Sequence, residues 1–496
     1  MTRLTTPFIV LFVAAFVAAQ DETSSPAVVT ETLPGATALA PYVCALKASG
    51  GKPPYVWSAE GSLPVGIALD ENGVLGGTPR ESGRFAFTVV VTDAAKRSAR
   101  KVLLLNVAPA PAPQRKPKVD PSTVEGALAL ALDWLARHQD TSALGGEPGR
   151  WEAAGFMRRC VGEQCSNPLS TSQFFDVGVS SLALMAFVSA GETHRVGRHK
   201  AVVGAALKWL LSKQDAMGWI GRPQRHGLWW TERWYYNHVL ASWALCEALA
   251  AGGDADLLRS PCEKAISRVL VAQNPQAGWR YEPGRGRSDT SLTSLSILAL
   301  DAARRARIDL PWRRLKATAG GWLKKMCDAE TGRFGYLKAG DGGYAEPGVN
   351  DEYLRAPATT ALAVRALQVL GETLPGRSLR LLATNPPVWG ESGRGVDMYY
   401  WWHATSVLSA LGGEDWTRWR AAVAPLLIER LCGEKDGCAR GSFPPVGKWA
   451  LIGGRVYSTA LAAVVLGRCA RAPAPDKDAS ENGPVEPRRK RPDGGR

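Results

Sequence analysis

A chain of 496 residues is too long for one ordinary domain, and 45% hydrophobic against 21% charged residues describes a globular protein rather than a disordered, fibrous or polytopic membrane one. Sixty Lys and Arg against 46 Asp and Glu leave a formal charge of +14, which attracts anionic surfaces and says nothing of fold. Arg471 to Arg496 holds seven cations and five anions, so most of the excess is dispersed over the folded region; that argues against a nucleic-acid groove, and no nucleic-acid partner is expected.

Residues 1–19 read as a secretory signal, with Arg3, an apolar run from Phe8 to Ala19, and Val17 and Ala19 at the small-residue positions of a cleavage site. The run is short for a membrane span, which takes ~20 apolar residues, and no later segment stays apolar that long without charges. The mature chain is therefore expected to be exported without a transmembrane segment, to a periplasm, a cell surface or the medium. Residues 28–107 alternate apolar and polar positions in short runs such as Tyr55 to Ser58 and Phe85 to Thr92, divided by Gly and Pro, which predicts a small β-sandwich. The Pro-rich stretch 108–121 predicts an extended linker, and residues 471–496 a disordered tail.

Residues 122–470 repeat. A small hydroxyl residue opens an apolar run at Ser181, Ser242, Ser294, Thr360, Thr405 and Thr459, and runs such as SSLALMAF and TTALAVRAL are apolar nearly all round, as fully buried helices are. Amphipathic segments precede them; in AALKWLLSKQ, Ala206, Leu207, Leu210 and Leu211 share one face while Lys208 and Lys213 lie elsewhere. Six outer and six inner helices predict a closed (α/α)6 double barrel, because an open solenoid would leave two end faces to cap.

The nine cysteines are odd in number. Cys160 with Cys165 and Cys432 with Cys438 are close enough for short disulfide loops and lack the Cys-x-x-Cys spacing of zinc or redox sites, so two disulfides and no metal centre are expected.

Two resemblances follow. The segment containing Pro54, Tyr55, Trp57, Leu63, Pro64, Gly66, Gly77, Thr78, Pro79, Gly83, Phe87, Val89 and Asp93 resembles the immunoglobulin-like, cadherin-like domains repeated in bacterial surface proteins. The resemblance implies a spacer or adhesive module making cell-surface or protein contacts. Some relatives bind calcium, for which Asp70 and Asp93 are the candidates here, although Asp in such turns is more often a turn former; no other cofactor is expected. The outer-helix ends KWLLSKQDAMGW and RVLVAQNPQAGW resemble the Gln-Trp repeats of squalene and hopene cyclases and protein prenyltransferases. The matching residues are Gln139 with Trp151, Gln214 with Gly218 and Trp219, and Gln273 with Gly278 and Trp279; a weaker copy has Gly437, Gly441, Ser442 and Phe443. Such positions are structural in that family, whose substrate cavity opens at the N-terminal ends of the inner helices.

The chemistry of those families is incomplete here. The adjacent Asp pair of the cyclases is absent, the nearest string being Asp254-Ala-Asp256. His403 falls on the prenyltransferase zinc-ligand position, but Ala358 and Thr360 stand where its Asp and Cys partners belong. The string CVGEQC has one residue too many for a thioester between Cys160 and Gln164. Five positions before the hydroxyl residues stand Asp176, Asn237, Asp289, Arg355, Tyr400 and Gly454, where Asp and Asn suit helix caps or, alternatively, cavity acids and bases. Two aromatic clusters flank the expected mouth: Trp229, Trp230, Trp234, Tyr235 and Tyr236, then Tyr399, Tyr400, Trp401 and Trp402, with His226, Arg233, His238 and Arg394 among them. The expectation is a binding protein holding a small molecule, an isoprenoid or a glycan, in this aromatic mouth. The alternative is an enzyme of the same fold, either a polysaccharide lyase or hydrolase using Asp176, Asp289, Asp397 or Glu352 with His403 nearby, or an atypical terpenoid cyclase or transferase.

Overall fold

The computed structural model describes residues 24–40, 42–109, 119–141, 147–162, 164–168, 173–223, 233–341, 357–447 and 449–471. The expected signal, most of the linker and the tail lie outside them, as do His226, Trp229, Trp230, Glu352 and Arg355. The chain divides into two compact units, Met1–Lys118 and Val119–Arg496.

The first unit is a β-sandwich of short strands: β1 (Ala27–Val28), β2 (Ala36–Thr37), β3 (Tyr42–Ala45), β4 (Ala48–Ser49), β5 (Val56–Glu60), β6 (Ile67–Leu69), β7 (Val74–Gly77), β8 (Gly83–Thr92) and β9 (Ser98–Ala108). One sheet has the order β2-β9-β8-β5 and the other β3-β7-β6, with β1 paired to β4. Alternation sets the faces: Leu103, Leu105 and Val107 point inward from β9 while Val102 and Leu104 are exposed. Those residues meet Trp57, Leu75, Phe87, Val89 and Val91 in one core. The two Asp residues considered for calcium sit in different turns, their carboxylates engaged locally. Asp70 Oδ1 accepts from the Asn72 and Val74 N–H groups; Asp93 accepts from the N–H groups of Lys52 and Arg97 and pairs with the Arg97 guanidinium at 2.8 Å.

The second unit is built from helix pairs in chain order. They are α1 (Val124–Arg137) with α2 (Asp176–Ser189), α3 (Lys200–Ser212) with α4 (Tyr235–Ala250), and α5 (Ala255–Val271) with α6 (Thr290–Arg305). Then α7 (Trp312–Leu315) runs through a π-helical turn, Lys316–Gly320, into α8 (Gly321–Lys325), paired with α9 (Ala358–Val369). The last pairs are α10 (Gly376–Ala383) with α11 (Met398–Leu411) and α12 (Gly413–Arg430) with α13 (Ala450–Cys469). The second helix of each pair packs on its predecessor and successor in the order α2, α4, α6, α9, α11, α13, and α13 returns to α2. This is a closed inner ring of six, with the other helices outside it. An inner helix touches neighbours on both flanks and an outer helix behind, so it must be apolar all round: α2 is buried from Asp176 through Val188. By length and hydropathy α13 is apolar enough to cross a membrane, and 83% of its most apolar window is buried among these helices.

One hydrogen-bond pattern ties outer to inner layer. The chain leaves an outer helix, turns, and presents a buried aromatic residue whose backbone N–H donates to a hydroxyl on the following inner helix. The pairs are Trp151 to Ser180 at 2.9 Å, Trp279 to Thr293 at 2.9 Å, Phe334 to Thr360 at 3.0 Å and Phe443 to Thr459 at 3.1 Å. The indoles of Trp151 and Trp279 donate back to Leu135 and Val269 carbonyls of their own outer helices, each at 2.7 Å. The Gln residues reach forward: Gln139 Nε2 bonds Gly149 O and Val202 O of α3, and Gln214 Nε2 bonds Gly218 O and Pro261 O of α5.

The hydroxyl that accepts is not always the one that marks the repeat in the sequence. Ser180 and Thr293, not Ser181 and Ser294, accept the turn's N–H. Ser181 and Ser242 donate to carbonyls four residues back, Val177 and His238. In the second unit Ile220, not Trp219, donates inward, and its acceptor is His238 Nδ1 at 3.1 Å. Trp279→Ala removes a fully buried indole and its bond to α5, and is expected to cost the toroid about 3–5 kcal/mol, read as a lowered urea midpoint in helical circular dichroism.

Candidate functional site

A cavity of about 590 Å³ opens at the N-terminal ends of the inner helices, and all six contribute to its wall within their first two turns. That volume suits one small molecule. Leu182, Leu240, Leu295 and Leu362 make an apolar side. The wall also carries a group of hydroxyls: Tyr281 and Tyr336 share a hydrogen bond of 2.7 Å, and Tyr236 lies 3.2 Å from Ser291, which also stands beside Tyr399. Burial, more than any neighbouring charge, raises the Tyr236, Tyr336 and Tyr399 hydroxyls far above their usual range, so they remain neutral donors. Arg233, Arg333, Asn237, Asp341 and Asp397 also stand in the wall, the Arg233 guanidinium lying 5.4 Å from the Tyr281 ring centre.

Deeper along the axis the ring is filled. Trp243 and Trp402 stack at 5.1 Å, and the Arg365 guanidinium carbon sits 4.9 and 5.2 Å from their ring centres. Arg365 Nη1 donates to His403 Nδ1 at 3.0 Å. Burial first, and then the Arg365 charge, lowers His403 well below its ordinary value and keeps it neutral. Burial lowers Arg365 to about 9, which leaves it cationic at neutral pH.

The residues expected to do chemistry are distributed differently from their sequence grouping. Asp176 is turned to the outer layer, its Oδ1 accepting from Ala153 N–H at 2.8 Å and its Oδ2 3.6 Å from Arg150. Asp289 caps α6 through Leu292 N–H at 2.8 Å and stands 3.7 Å from Arg280, behind the tyrosines rather than on the cavity wall. Asp397 does reach the wall, while its Oδ1 caps α11 through Tyr400 N–H at 2.9 Å. His403 lies beneath the cavity against Arg365.

Of the two predicted aromatic clusters, Tyr236 and Tyr399 among the described residues face the cavity. Trp234 and Tyr235 pack around Trp219 and His238. Tyr400 donates to the Asn385 carbonyl at 2.7 Å, Trp401 packs on Trp389, and Trp402 belongs to the axial stack. The helical period explains the difference. Positions six before the hydroxyl residues, Phe175, Tyr236, Tyr399 and Gly453, face the axis. Of those five before, about 100° further round the helix, Asp176, Asp289, Tyr400 and Gly454 lie off the wall while Asn237 still reaches it. Tyr281, Tyr336, Trp449 and Tyr457 enter the wall from loops or the last helix and carry no repeat signal.

Neither expected disulfide forms: all nine cysteines are free thiols. Cys438 turns away from Cys432 toward Cys160 and Cys165, joining them and His138 in one cluster. Cys432 instead lies 3.6 Å from the Arg455 guanidinium.

Comparison with known proteins agrees with the first unit: residues 25–108 match a family described as "Putative Ig domain". No curated protein matches the chain. Among solved structures, a type II terpene cyclase from Scytonema with geranylgeranyl dihydroxybenzoate is 11% identical, with a TM-score of 0.42 over 70% of this chain and 97% of its own. A family 76 glycoside hydrolase from a bovine Bacteroides thetaiotaomicron strain is 10% identical, with a TM-score of 0.45 over 81% and 87%. A "putative alpha-galactosidase/melibiase" from Bacteroides fragilis is 19% identical, with a TM-score of 0.16; only 25% of its length is spanned, against 22% of this chain. The architecture is an immunoglobulin-like domain followed by an (α/α)6 toroid, and the toroid rests on its own closed helix packing.

Burial raises Asp289 to about 7 from the ordinary 3.8, against the lowering by its backbone bonds and Arg280. The folded chain therefore holds a proton there that the unfolded chain releases. Stability from this group is full below about pH 4 and falls as pH rises toward 7. Asp289→Asn keeps a cap acceptor and removes the titration, so its stability in urea at pH 8 is expected to exceed that of the parent by on the order of 1–4 kcal/mol, with a smaller difference at pH 5.

Proposed function

We propose that the toroid is a binding module which holds one amphipathic small molecule, an isoprenoid or a glycan, at the N-terminal mouth of its inner ring. In this reading the chain is exported and the immunoglobulin-like domain serves as its spacer. The observation that supports it is the mixed cavity wall, in which leucine side chains meet neutral tyrosine hydroxyls, Arg233, Arg333 and the carboxylates of Asp341 and Asp397. Such a wall suits a ligand with an apolar face and a hydroxyl-bearing or anionic end. The engagement of Asp176, Asp289 and Asp397 in backbone bonds, and of His403 with Arg365, supports binding over acid–base turnover.

Native mass spectrometry of the purified chain, after incubation with polyprenyl-lipid and oligosaccharide extracts, tests this. Retention of one extract component of unchanged mass is expected. Tyr399→Ala should weaken its binding about tenfold, and Leu295→Trp, which fills the apolar side, should abolish it. Consumption of a component with appearance of a new product would make the protein an enzyme and overturn the reading.

A further inference from the structure

The first and last units of the ring meet at a cluster that the cavity does not use. His138 follows the end of α1, Cys160 and Cys165 lie between α1 and α2, and Cys438 belongs to the short 3-10 turn Glu434–Ala439 after α12. The imidazole Nε2 and the three sulfurs all fall within 4.8 Å of one another. From Nε2 the sulfurs of Cys438, Cys160 and Cys165 lie at 3.4, 3.7 and 3.9 Å. Zinc–sulfur bonds of about 2.3 Å and a zinc–nitrogen bond of about 2.0 Å in a tetrahedron give nitrogen–sulfur edges of about 3.5 Å. The cluster has those dimensions.

We propose that His138, Cys160, Cys165 and Cys438 form a structural zinc site that staples the last unit of the toroid to the first.

The surroundings are those of a built site. His138 Nδ1 lies 2.9 Å from the Trp134 carbonyl, which takes a proton on Nδ1 and leaves the Nε2 lone pair for the metal. The imidazole stacks on the Trp134 ring at 4.2 Å, which fixes its plane. Backbone N–H groups point at two of the sulfurs: Cys165 donates to Cys160 Sγ and Val161 to Cys438 Sγ, each at 3.3 Å. Such donors stabilise thiolates, the form that binds zinc. Three thiolates and one neutral imidazole around Zn²⁺ leave one net negative charge. Arg455, which reaches Ser166 and Ser442 close by, supplies a compensating positive charge. On binding, three thiol protons go to solvent and four metal–ligand bonds form, with no change of oxidation state.

The position gives the site its purpose. Cys438 and His138 are 300 residues apart, and the site lies on the seam where α13 packs on α1 and α2, Arg455 bonds Ser166 and Arg137 Nη2 donates to Arg440 O at 2.9 Å. A metal bridging them fixes a closure whose entropy cost rises with the length of chain enclosed.

The test uses the full chain, purified under reducing conditions without chelator. Metal analysis should find one zinc per chain. Cobalt(II) exchange should give the sulfur-to-metal charge-transfer and tetrahedral d–d bands of a thiolate site. Cys438→Ser and His138→Ala should lower zinc affinity more than tenfold in competition with a chromophoric chelator, whereas Cys432→Ser should not. If these variants do not fold, the stoichiometry and cobalt spectrum of the parent chain decide. A Cys160–Cys165 disulfide in non-reducing peptide maps of the parent, metal-free protein that takes up no added zinc, or zinc retained by Cys438→Ser would each overturn the proposal.

Discussion

Closure of the ring is the constraint on which the toroid depends. An inner helix that is apolar on every side is stable only if every side is covered, and α13 finds its last neighbour in α2, far away in the chain. The outer layer repeats this closure through glycines. A Cβ on Gly149 would meet the α3 backbone at Ala205, one on Gly218 the α5 backbone at Lys264, and one on Gly332 the backbone at Arg377 of α10. At Gly441 the Cβ would lie 2.4 Å from the carbonyl of Leu130, in α1. All four glycines also have positive φ, so space and backbone conformation together demand glycine there. The same contact that joins three of the turns to the next outer helix also joins the last turn to the first.

Closure sets what the interior can hold. Six helices around an axis leave a space that aromatic rings fill at depth and only partly at the mouth. Trp243, Trp402 and Arg365 occupy the depth; the first turns splay around the cavity. Polar groups inside are expensive unless bonded, which is why Asp289 stands where the N-terminus of α6 offers N–H donors and Asp176 where the Ala153 N–H of the preceding loop meets it. Burial still raises both to about 7, against those same bonds. A carboxylate in such a place is first a bonded part of the backbone framework. Its perturbed proton affinity follows from that burial and does not by itself mark chemistry.

The cavity was legible in its location and not in its lining. The repeat places the starts of the inner helices in register, so the mouth follows from the pattern alone. Which residue of a first turn faces inward depends on helix rotation. Tyr399 faces the axis while Tyr400 bonds the Asn385 carbonyl at the ring's outer side. A string of four aromatic residues carries no mark of that rotation, because each is apolar enough for either side. Tyr281 and Tyr336 reach the wall from inter-helix loops, whose course the repeat does not specify.

The sequence by itself determined the layers: alternation of period two fixed the sandwich core around Trp57 and Leu75, and wholly apolar helices alternating with amphipathic ones fixed an inner and an outer ring. Both follow from burial acting locally, since a side chain's polarity states whether it can leave water. Tertiary structure alone decided which thiols meet. Cys160 and Cys165 are near each other in any fold, but His138 and Cys438 join them only because the ring closes. Spacing along the chain suggests a local disulfide; a cluster of one imidazole and three thiols spanning 300 residues has no local signal, because its geometry depends on closure of the helix ring.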